Sequence, residues 1–322
     1  MIRAPKITGD TWINSDPLQP HDLKDKIVLV DFWTYSCINC QRTIPYLRDW
    51  WHKYKDMGLV IIGIHAPEFE FEKDLNNVTK ATKELGVEWP VVLDNDYNNW
   101  NQFANKYWPA KYLINHEGFI VYTHVGEGAY KVTEETIQSQ LEELNESLSL
   151  PEIGSEAQEH EHGKVCFPAT PELYVGYGRG HIDGSDFSNG EGYKEDTEYS
   201  YKTPKNIRED SFALIGKFIA YNQYVQSLEP DAKLILHFKA TEVNIVMDTD
   251  DPECKVEVLL NGEPIPAEQR GYSVGEDNLV TVTDSKLYNL LKSKRRVDGH
   301  IQLTAKVGNF KAFSFTFSGC EE

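Results

Sequence analysis

The sequence has few cysteines and no long apolar run. Five cysteines among 322 residues are too few for a disulphide-stabilised scaffold. A membrane-spanning helix needs ~20 consecutive apolar residues, whereas apolar runs such as residues 59–64 have the length of a strand. The N-terminus also lacks the apolar core of a signal peptide. We therefore expect a cytoplasmic protein if Met1 is the native start, and an extracytoplasmic one if the chain is the soluble part of a membrane-anchored parent.

Positive charge is also scarce. The chain has 32 Lys and Arg residues against 51 Asp and Glu residues, which gives a net charge of −19. Nucleic acids and anionic membranes bind to basic surfaces, so this balance argues against both as partners. The hydrophobic content of 40% and charged content of 26% are typical of a soluble globular protein, and the length favours two domains.

The most informative feature is a Cys-x-x-Cys motif formed by Cys37 and Cys40. The apolar run 27–33 predicts a buried strand, a short turn follows, and Cys37 stands where an amphipathic helix is predicted to begin. A Cys-x-x-Cys motif in this position is typical of a thiol–disulphide redox site. A zinc site is not expected, because no second Cys or His pair has suitable spacing. The motif implies no metal and no organic cofactor.

The two thiols of the motif are expected to have different roles. A thiol attacks a disulphide as the thiolate, which the free N–H groups and the dipole of a helix N-terminus stabilise. Cys37 is the predicted exposed nucleophile, and Cys40, one turn later, is the predicted resolving thiol. The sequence thus predicts a thiol–disulphide oxidoreductase that exchanges electrons with protein disulphides through a redox-active Cys37–Cys40 disulphide.

Asp31 lies in the middle of the otherwise apolar run, six residues before Cys37. Burial of a carboxylate raises its pKa towards neutrality. A buried Asp31 beneath the cysteines would be able to accept the proton of Cys40 during resolution. The alternative is an aspartate that faces solvent at the end of the strand. We favour the buried base because its neighbours in sequence are apolar.

The remaining cysteines are Cys166, Cys254 and Cys320. Scattered thiols of this kind are more often small buried hydrophobic residues than reactive groups, and we interpret all three in that way. The alternative is a disulphide between Cys166 and Cys320, which lie near the two ends of the second domain. Sequence alone does not determine such connectivity.

The periodicity of apolar residues divides the chain. Residues 1–148 alternate predicted strands with helices, as in an α/β domain, and end with a predicted hairpin and helix. Residues 149–163 lack apolar periodicity and form a predicted linker. Residues 164–322 alternate apolar and polar positions, which predicts an antiparallel β-sandwich with one short helical piece near residues 285–291.

The first domain resembles the thioredoxin family. The residues that occur at the family's spacing are Asp31, Cys37, Cys40 and Pro45. Segments 22–26 and 89–94 are similar to the TlpA/ResA branch of that family. The resemblance implies an α/β thioredoxin-like fold, and in that branch an acidic residue lies near the cysteines, here Glu68.

The resemblance also implies a substrate groove. Pro109 corresponds to the cis-proline that faces the active-site sulphurs and shapes the groove, and Trp108 precedes it. We assign Trp33, Trp108 and Pro109 to the predicted groove. A bulky Trp108 either selects extended apolar peptides or fills core space.

A narrower resemblance, to the soluble portion of DipZ-type proteins, covers nearly the whole chain. The segments that carry it are residues 32–43, 65–69, 94–97, 107–110, 126–128, 170–174 and 315–317. That family joins a CcdA-like membrane domain to a thioredoxin-like domain and to a jelly-roll-like sandwich similar to carbohydrate-binding modules. The resemblance implies a CcdA-like membrane protein or a thioredoxin system as electron donor, and a glycan or protein ligand on the sandwich.

Two other functions compete with disulphide exchange. Thr34 stands three residues before Cys37, as in the Thr-x-x-Cys site of peroxiredoxins, which suggests a thiol peroxidase that uses Cys37. The second alternative is a glycan- or protein-binding module with an accessory redox domain, because aromatic rings stack on sugars, although alternating aromatic residues are more often part of a core. The tyrosines concerned are Tyr174, Tyr177, Tyr193, Tyr199, Tyr201, Tyr221 and Tyr224.

Overall fold

The computed structural model describes residues 2–154, 165–179 and 186–321. The chain divides into two units, Met1–His162 and Gly163–Glu322. Residues 155–163 of the predicted linker lie outside the described part, so the linker and the domain boundaries stay predictions.

The first unit is an α/β domain with a seven-stranded sheet in the order β1-β7-β6-β3-β4-β5-β2. Its strands are β1 (Ile2–Arg3), β2 (Trp12–Ile13), β3 (Ile27–Trp33), β4 (Leu59–His65), β5 (Val91–Leu93), β6 (Ala110–Ile114) and β7 (Phe119–Val125). Its helices are α1 (Ile38–Tyr54), α2 (Leu75–Glu84), α3 (Asn98–Gln102) and α4 (Tyr130–Leu144). Strands β3, β4 and β5 are parallel, and the hairpin β6–β7 pairs antiparallel with β3.

Strand β3 divides the core of this unit into two clusters. Alternate side chains of a strand point to opposite faces. Ile27, Leu29 and Trp33 accordingly belong to a cluster that includes residues of α1 and α4. The intervening Val28, Val30 and Phe32 belong to a second cluster on the other face. The same alternation places Asp31 on the face that α1 covers.

A buried carboxylate, Glu134, connects the C-terminal end of α1 to α4. Glu134 of α4 accepts hydrogen bonds from Tyr54 Oη at 2.7 Å and from Lys53 Nζ at 3.0 Å. Its other oxygen accepts from the backbone N–H of Gly154 at 3.3 Å. One carboxylate thus connects α1 to α4 at the end of α1 opposite the cysteines.

The second unit is all-β, which confirms the predicted fold class. Its strands are β8 (Val165–Cys166), β9 (Leu173–Tyr174), β10 (Glu198–Tyr201), β11 (Ser211–Ala220), β12 (Val225–Ser227), β13 (Lys233–Asp248), β14 (Lys255–Leu260), β15 (Glu263–Pro264), β16 (Leu279–Thr281), β17 (Lys286–Val307), β18 (Lys311–Ser318) and β19 (Cys320–Glu321). The first half of β13 pairs with β11 and its second half with β18, with a register shift between Ala240 and Glu242. Strands that change neighbours at such an irregularity join the layers of a β-sandwich.

One local prediction for this unit was wrong. Residues 285–291 are not helical, because β17 begins at Lys286 and pairs with the second half of β13. A short run of apolar residues suits a buried helix or a buried strand equally well in sequence. The long-range pairing with β13 decides between them.

The cysteines of the second unit are only partly as expected. Cys254 is buried and unpaired, as predicted, whereas Cys166 and Cys320 form a disulphide. They are directly opposite each other in the antiparallel pair β8–β19, so the two ends of the unit meet at this bond. Among the described residues, no helix combines the length and apolarity needed to cross a bilayer.

Candidate active site

Cys37 is the N-cap residue of α1. Its backbone is extended, with φ −76° and ψ 117°, and its Sγ accepts a hydrogen bond from the N–H of Cys40 at 3.4 Å. Its carbonyl accepts from the N–H of Gln41 at 3.0 Å. The side chain is partly exposed, and both motif cysteines are free thiols in the structure. An N-terminal N–H group therefore points at the sulphur that is open to solvent.

Cys40 occupies a different environment from Cys37. It is 0% exposed and lies in the core cluster under α1. Burial, and then the neighbouring Cys37 sulphur, raises the pKa of the Cys40 thiol. The Cys37 sulphur is thus accessible to solvent, whereas the Cys40 sulphur, one helical turn away, is buried and protonated.

Asp31 is buried, 2% exposed, and forms an ion pair with Lys111 of β6. The two residues are directly opposite each other in the pairing of β3 with β6, and Asp31 Oδ1 lies 3.8 Å from Lys111 Nζ. Burial raises the pKa of Asp31 to about 6, although the charge of Lys111 opposes this shift. Neither of the two atoms has a hydrogen-bond partner in the described part of the chain. The carboxylate is therefore poised to exchange a proton near neutral pH.

Lys111 was missed by the sequence analysis. The strand that the sequence predicts for this part of the hairpin is residues 112–115, which begins after Lys111, whereas β6 begins at Ala110. The sequence offered one signal of a functional lysine: Lys111 stands between apolar residues, two positions after Pro109. Its significance depends on the register with Asp31, which the sequence does not reveal.

A second buried carboxylate, Glu72, was also missed. One of its oxygens accepts hydrogen bonds from Ser36 Oγ at 2.6 Å and Ser36 N at 3.2 Å. The other accepts from the N–H groups of Glu68 at 2.6 Å and Phe69 at 3.0 Å. Burial, and then the charge of Glu68, raises the pKa of Glu72. Glu72 therefore ties the residue before Cys37 to the segment that carries Glu68, which is itself partly exposed.

Thr34, Trp33 and His65 form a buried layer beside this turn. Thr34 Oγ1 lies 3.4 Å from His65 Nε2, and burial lowers the pKa of His65 to about 3. The Trp33 ring stands edge-on to His65, 5.3 Å away, and is 2% exposed. The structure thus places Trp33 in the core, away from any accessible groove.

The other two residues of the predicted groove, Trp108 and Pro109, follow α3 in the sequence. The Trp108–Pro109 peptide bond is cis. Pro109 is buried and its carbonyl accepts from Gly126 N at 2.8 Å. Trp108 is half-buried and donates from Nε1 to the carbonyl of Ala66 at 3.0 Å. Ala110, the next residue, pairs with Phe32 of β3, so Pro109 lies at the end of β3 from which the chain leads into the motif.

Both units match known families. Residues 3–123 match the AhpC/TSA family, and residues 170–318 match the family described as thioredoxin like C-terminal domain. The chain is 38% identical over 248 residues to Protein DipZ of Mycobacterium tuberculosis (strain CDC 1551 / Oshkosh), covering 76% of this chain and 35% of DipZ. The chain therefore corresponds to about a third of that relative.

Smaller relatives match the first unit. The thiol-disulfide oxidoreductase YkuV of Bacillus subtilis (strain 168) is 26% identical over 140 residues, which are 43% of this chain and 94% of YkuV. The thiol-disulfide oxidoreductase ResA of Halalkalibacterium halodurans is 27% identical over 126 residues, which are 39% of this chain and 69% of ResA. The resemblance to thioredoxin-like proteins of the ResA and DipZ types is confirmed.

Proposed function

We propose that this chain, a thioredoxin-like protein that joins an AhpC/TSA-type domain to a thioredoxin-like C-terminal domain, transfers electrons between protein disulphides and a dithiol donor. The asymmetry of the motif supports this proposal most directly. Cys37 is accessible at the N-terminus of α1, whereas Cys40 is sealed one turn behind it.

The reaction proceeds in two exchanges. The Cys37 thiolate attacks one sulphur of a substrate disulphide, whose S–S bond breaks to give a mixed disulphide and a substrate thiolate that takes a proton from water. Cys40 then loses its proton to Asp31 and attacks Cys37 Sγ, which releases the second substrate thiolate, and this thiolate takes the proton from Asp31. The substrate gains two electrons and two protons, and a dithiol donor later reduces the Cys37–Cys40 disulphide.

Asp31 suits the role of proton acceptor because its pKa of about 6 leaves the carboxylate mostly ionised at neutral pH. Lys111 stabilises this ionised form and is proposed as a positioning residue. Glu68 is the second candidate for proton transfer, since Glu72 fixes its backbone near the turn before Cys37. We assign Trp108 and cis-Pro109 to the wall that an extended substrate contacts.

Trapping of mixed disulphides tests the assigned roles. Cys40→Ser is expected to accumulate covalent complexes with substrate proteins, because nothing resolves the mixed disulphide. Cys37→Ser is expected to form none, and Cys254→Ser serves as the matched control because Cys254 is buried in the other unit. Equal trapping by Cys37→Ser and Cys40→Ser would contradict the mechanism.

The electron donor and compartment follow from the same proposal. A CcdA-like membrane protein or a thioredoxin system would supply the electrons. We favour an extracytoplasmic location, since the Cys166–Cys320 disulphide is of a kind that persists in oxidising compartments. Cell fractionation with thiol labelling tests this choice: the two cysteines should resist labelling in the native protein, and a cytosolic protein with both thiols reduced would refute it.

The peroxidase alternative receives less support. Thr34, which would have to orient a peroxide, is fully buried with its hydroxyl beside His65. Peroxide consumption that depends on Cys37 and exceeds disulphide reduction would reverse this ranking.

A glycan ligand on the second unit is a further candidate. Several of the tyrosines considered from the sequence pack on its core, including Tyr177, Tyr193 and Tyr199, and Tyr201 lies within it. Tyr272, by contrast, is 73% exposed beside a depression of about 320 Å³ whose lining includes Lys255 and Asp277 as well as the apolar Leu279. Oligosaccharide binding by the full chain that is lost in Tyr272→Ala would support this candidate, and no binding on a glycan array would end it.

A further inference from the structure

We propose that the first unit binds a small amphipathic anion, a carboxylate on an apolar tail, in a cavity at the end of the sheet opposite the cysteines. The cavity has a volume of about 420 Å³ and lies between the N-terminal segment, the sheet and the β6–β7 turn. This size falls within the ~300–1,000 Å³ range of small-molecule sites. The proposal does not depend on the redox function.

The position of the cavity follows from the strands that line it. Val28 is near the start of β3, whereas Cys37 follows the end of that strand. Val28 pairs with Ile114, the last residue of β6, and both line the cavity together with Ile62. All three belong to the core cluster on the face that α1 does not cover. A ligand here is therefore separated from the motif by the sheet itself.

The floor and walls of the cavity are apolar. Beyond the three sheet residues, the large apolar side chains that line it are Ile7, Trp12, Leu18 and Leu23. Each of these four is only partly buried and packs on the edge of the core cluster. An apolar tail would remove their remaining surface from water, at ~25 cal/mol for each Å² buried.

The rim carries an unbalanced positive charge. Arg3, Lys6, Lys24 and His116 line the cavity, and Glu117 is the one acidic residue among the lining side chains. Within the described residues, Arg3, Lys6 and Lys24 form no ion pair. The guanidinium of Arg3 lies over the Phe119 ring at 5.6 Å. In a chain with a net charge of −19, three cations without an internal counter-ion beside an apolar cavity favour an anionic head group over a neutral or cationic one.

Isothermal titration of the full chain tests the proposal with three probes below their micellar concentrations. Decanoate carries both the tail and the carboxylate, acetate lacks the tail, and decyltrimethylammonium has the opposite charge. We expect saturable one-to-one binding of decanoate alone. Equal binding of decyltrimethylammonium, or no saturable binding of decanoate, would overturn the proposal.

Charge reversal locates the site. The double variant Lys6→Glu/Lys24→Glu should bind decanoate about tenfold more weakly or worse, because two favourable charge interactions become repulsive. Leu23→Gln tests the apolar wall and should also weaken binding. Lys83→Glu, which changes an exposed lysine at the end of α2, is the matched control and should bind like the wild type. The two charge variants should keep the wild-type melting temperature, all variants should keep the wild-type disulphide-exchange rate, and unchanged affinity in the double variant would overturn the proposed site.

Discussion

The two units bury different kinds of polar side chains. Among the described residues, every buried carboxylate, lysine or histidine lies in the first unit: Asp31, His65, Glu72, Asp94, Lys111 and Glu134. The second unit buries neutral Ser, Thr and Asn side chains. Ionisable groups are costly to bury, so a structural core avoids them.

Three of the buried ionisable groups lie close to the Cys-x-x-Cys motif. Asp31 and Lys111 lie in the strands beneath the motif, and Glu72 holds the turn that leads to Cys37. Perturbed ionisable groups concentrate at functional sites. We therefore assign the proposed redox chemistry to the first unit.

Removal of the Cys166–Cys320 disulphide should have the largest effect on stability, and the second unit is the one destabilised. Cys166→Ala/Cys320→Ala opens a covalent loop with a sequence separation of 154 residues, and in the chain-entropy model a loop of this size contributes about 5 kcal/mol to the free energy of unfolding. Urea denaturation should show the loss. Disulphide-exchange activity measured under native conditions should stay unchanged, and its loss would break the division of labour between the units.

Asp31→Asn should slow resolution of the mixed disulphide by about 100-fold, the lower end of the effect of a general base. Stopped-flow measurement of substrate-thiol release would detect this change. Attack by Cys37 should be affected less than resolution. Equal slowing of both steps would assign Asp31 a purely structural role.

Asp31→Asn should also change how the free energy of unfolding depends on pH. Burial raises the pKa of Asp31 from 3.8 to about 6, so the folded state favours the protonated carboxyl. Its stabilising contribution is present below about pH 4 and is lost as pH rises through about 6. Relative to Asp31→Asn, the wild type should lose on the order of 3 kcal/mol between about pH 4 and pH 7. A constant difference across this range would show that the carboxyl is not buried as described.

Glu72→Gln should lower the free energy of unfolding by about 1–3 kcal/mol. An amide offers one acceptor oxygen, whereas the carboxylate accepts from N–H and O–H donors on both oxygens. Glu70→Gln is the matched control, because Glu70 is exposed and lies with Glu72 in the short 3-10 helix Glu70–Lys73. Similar stability of both variants would show that the buried hydrogen bonds contribute nothing specific.

Lys111→Met should have the smallest effect, a shift in a pH profile. Removal of the cation that lowers the pKa of Asp31 should move the midpoint of the resolution rate above pH 6. The fold should be kept, because methionine fills a similar buried volume. An unchanged midpoint would mean that the two groups do not interact.

Patterns within short segments predicted the fold and the two cysteines. Continuous apolar runs identified β3 and β4, and the position of Cys37 between a strand and a helix identified the motif. Lys111 and Glu72 were not predicted, because their importance depends on contacts with residues distant in sequence. Lys111 contacts Asp31, 80 positions away, and Glu72 contacts Ser36, 36 positions away. The Cys166–Cys320 disulphide was not favoured for the same reason. Sequence patterns report local preference, whereas these features depend on register between distant segments.

Differential alkylation of the native, reduced protein tests the central claim, that the two sulphurs of the motif are unequal. Iodoacetamide followed by mass spectrometry would measure the rate at each cysteine. We expect Cys37 to react at least about 100-fold faster than Cys40, since the thiolate is the nucleophile and only Cys37 is exposed. Equal rates, or faster modification of Cys40, would contradict the account.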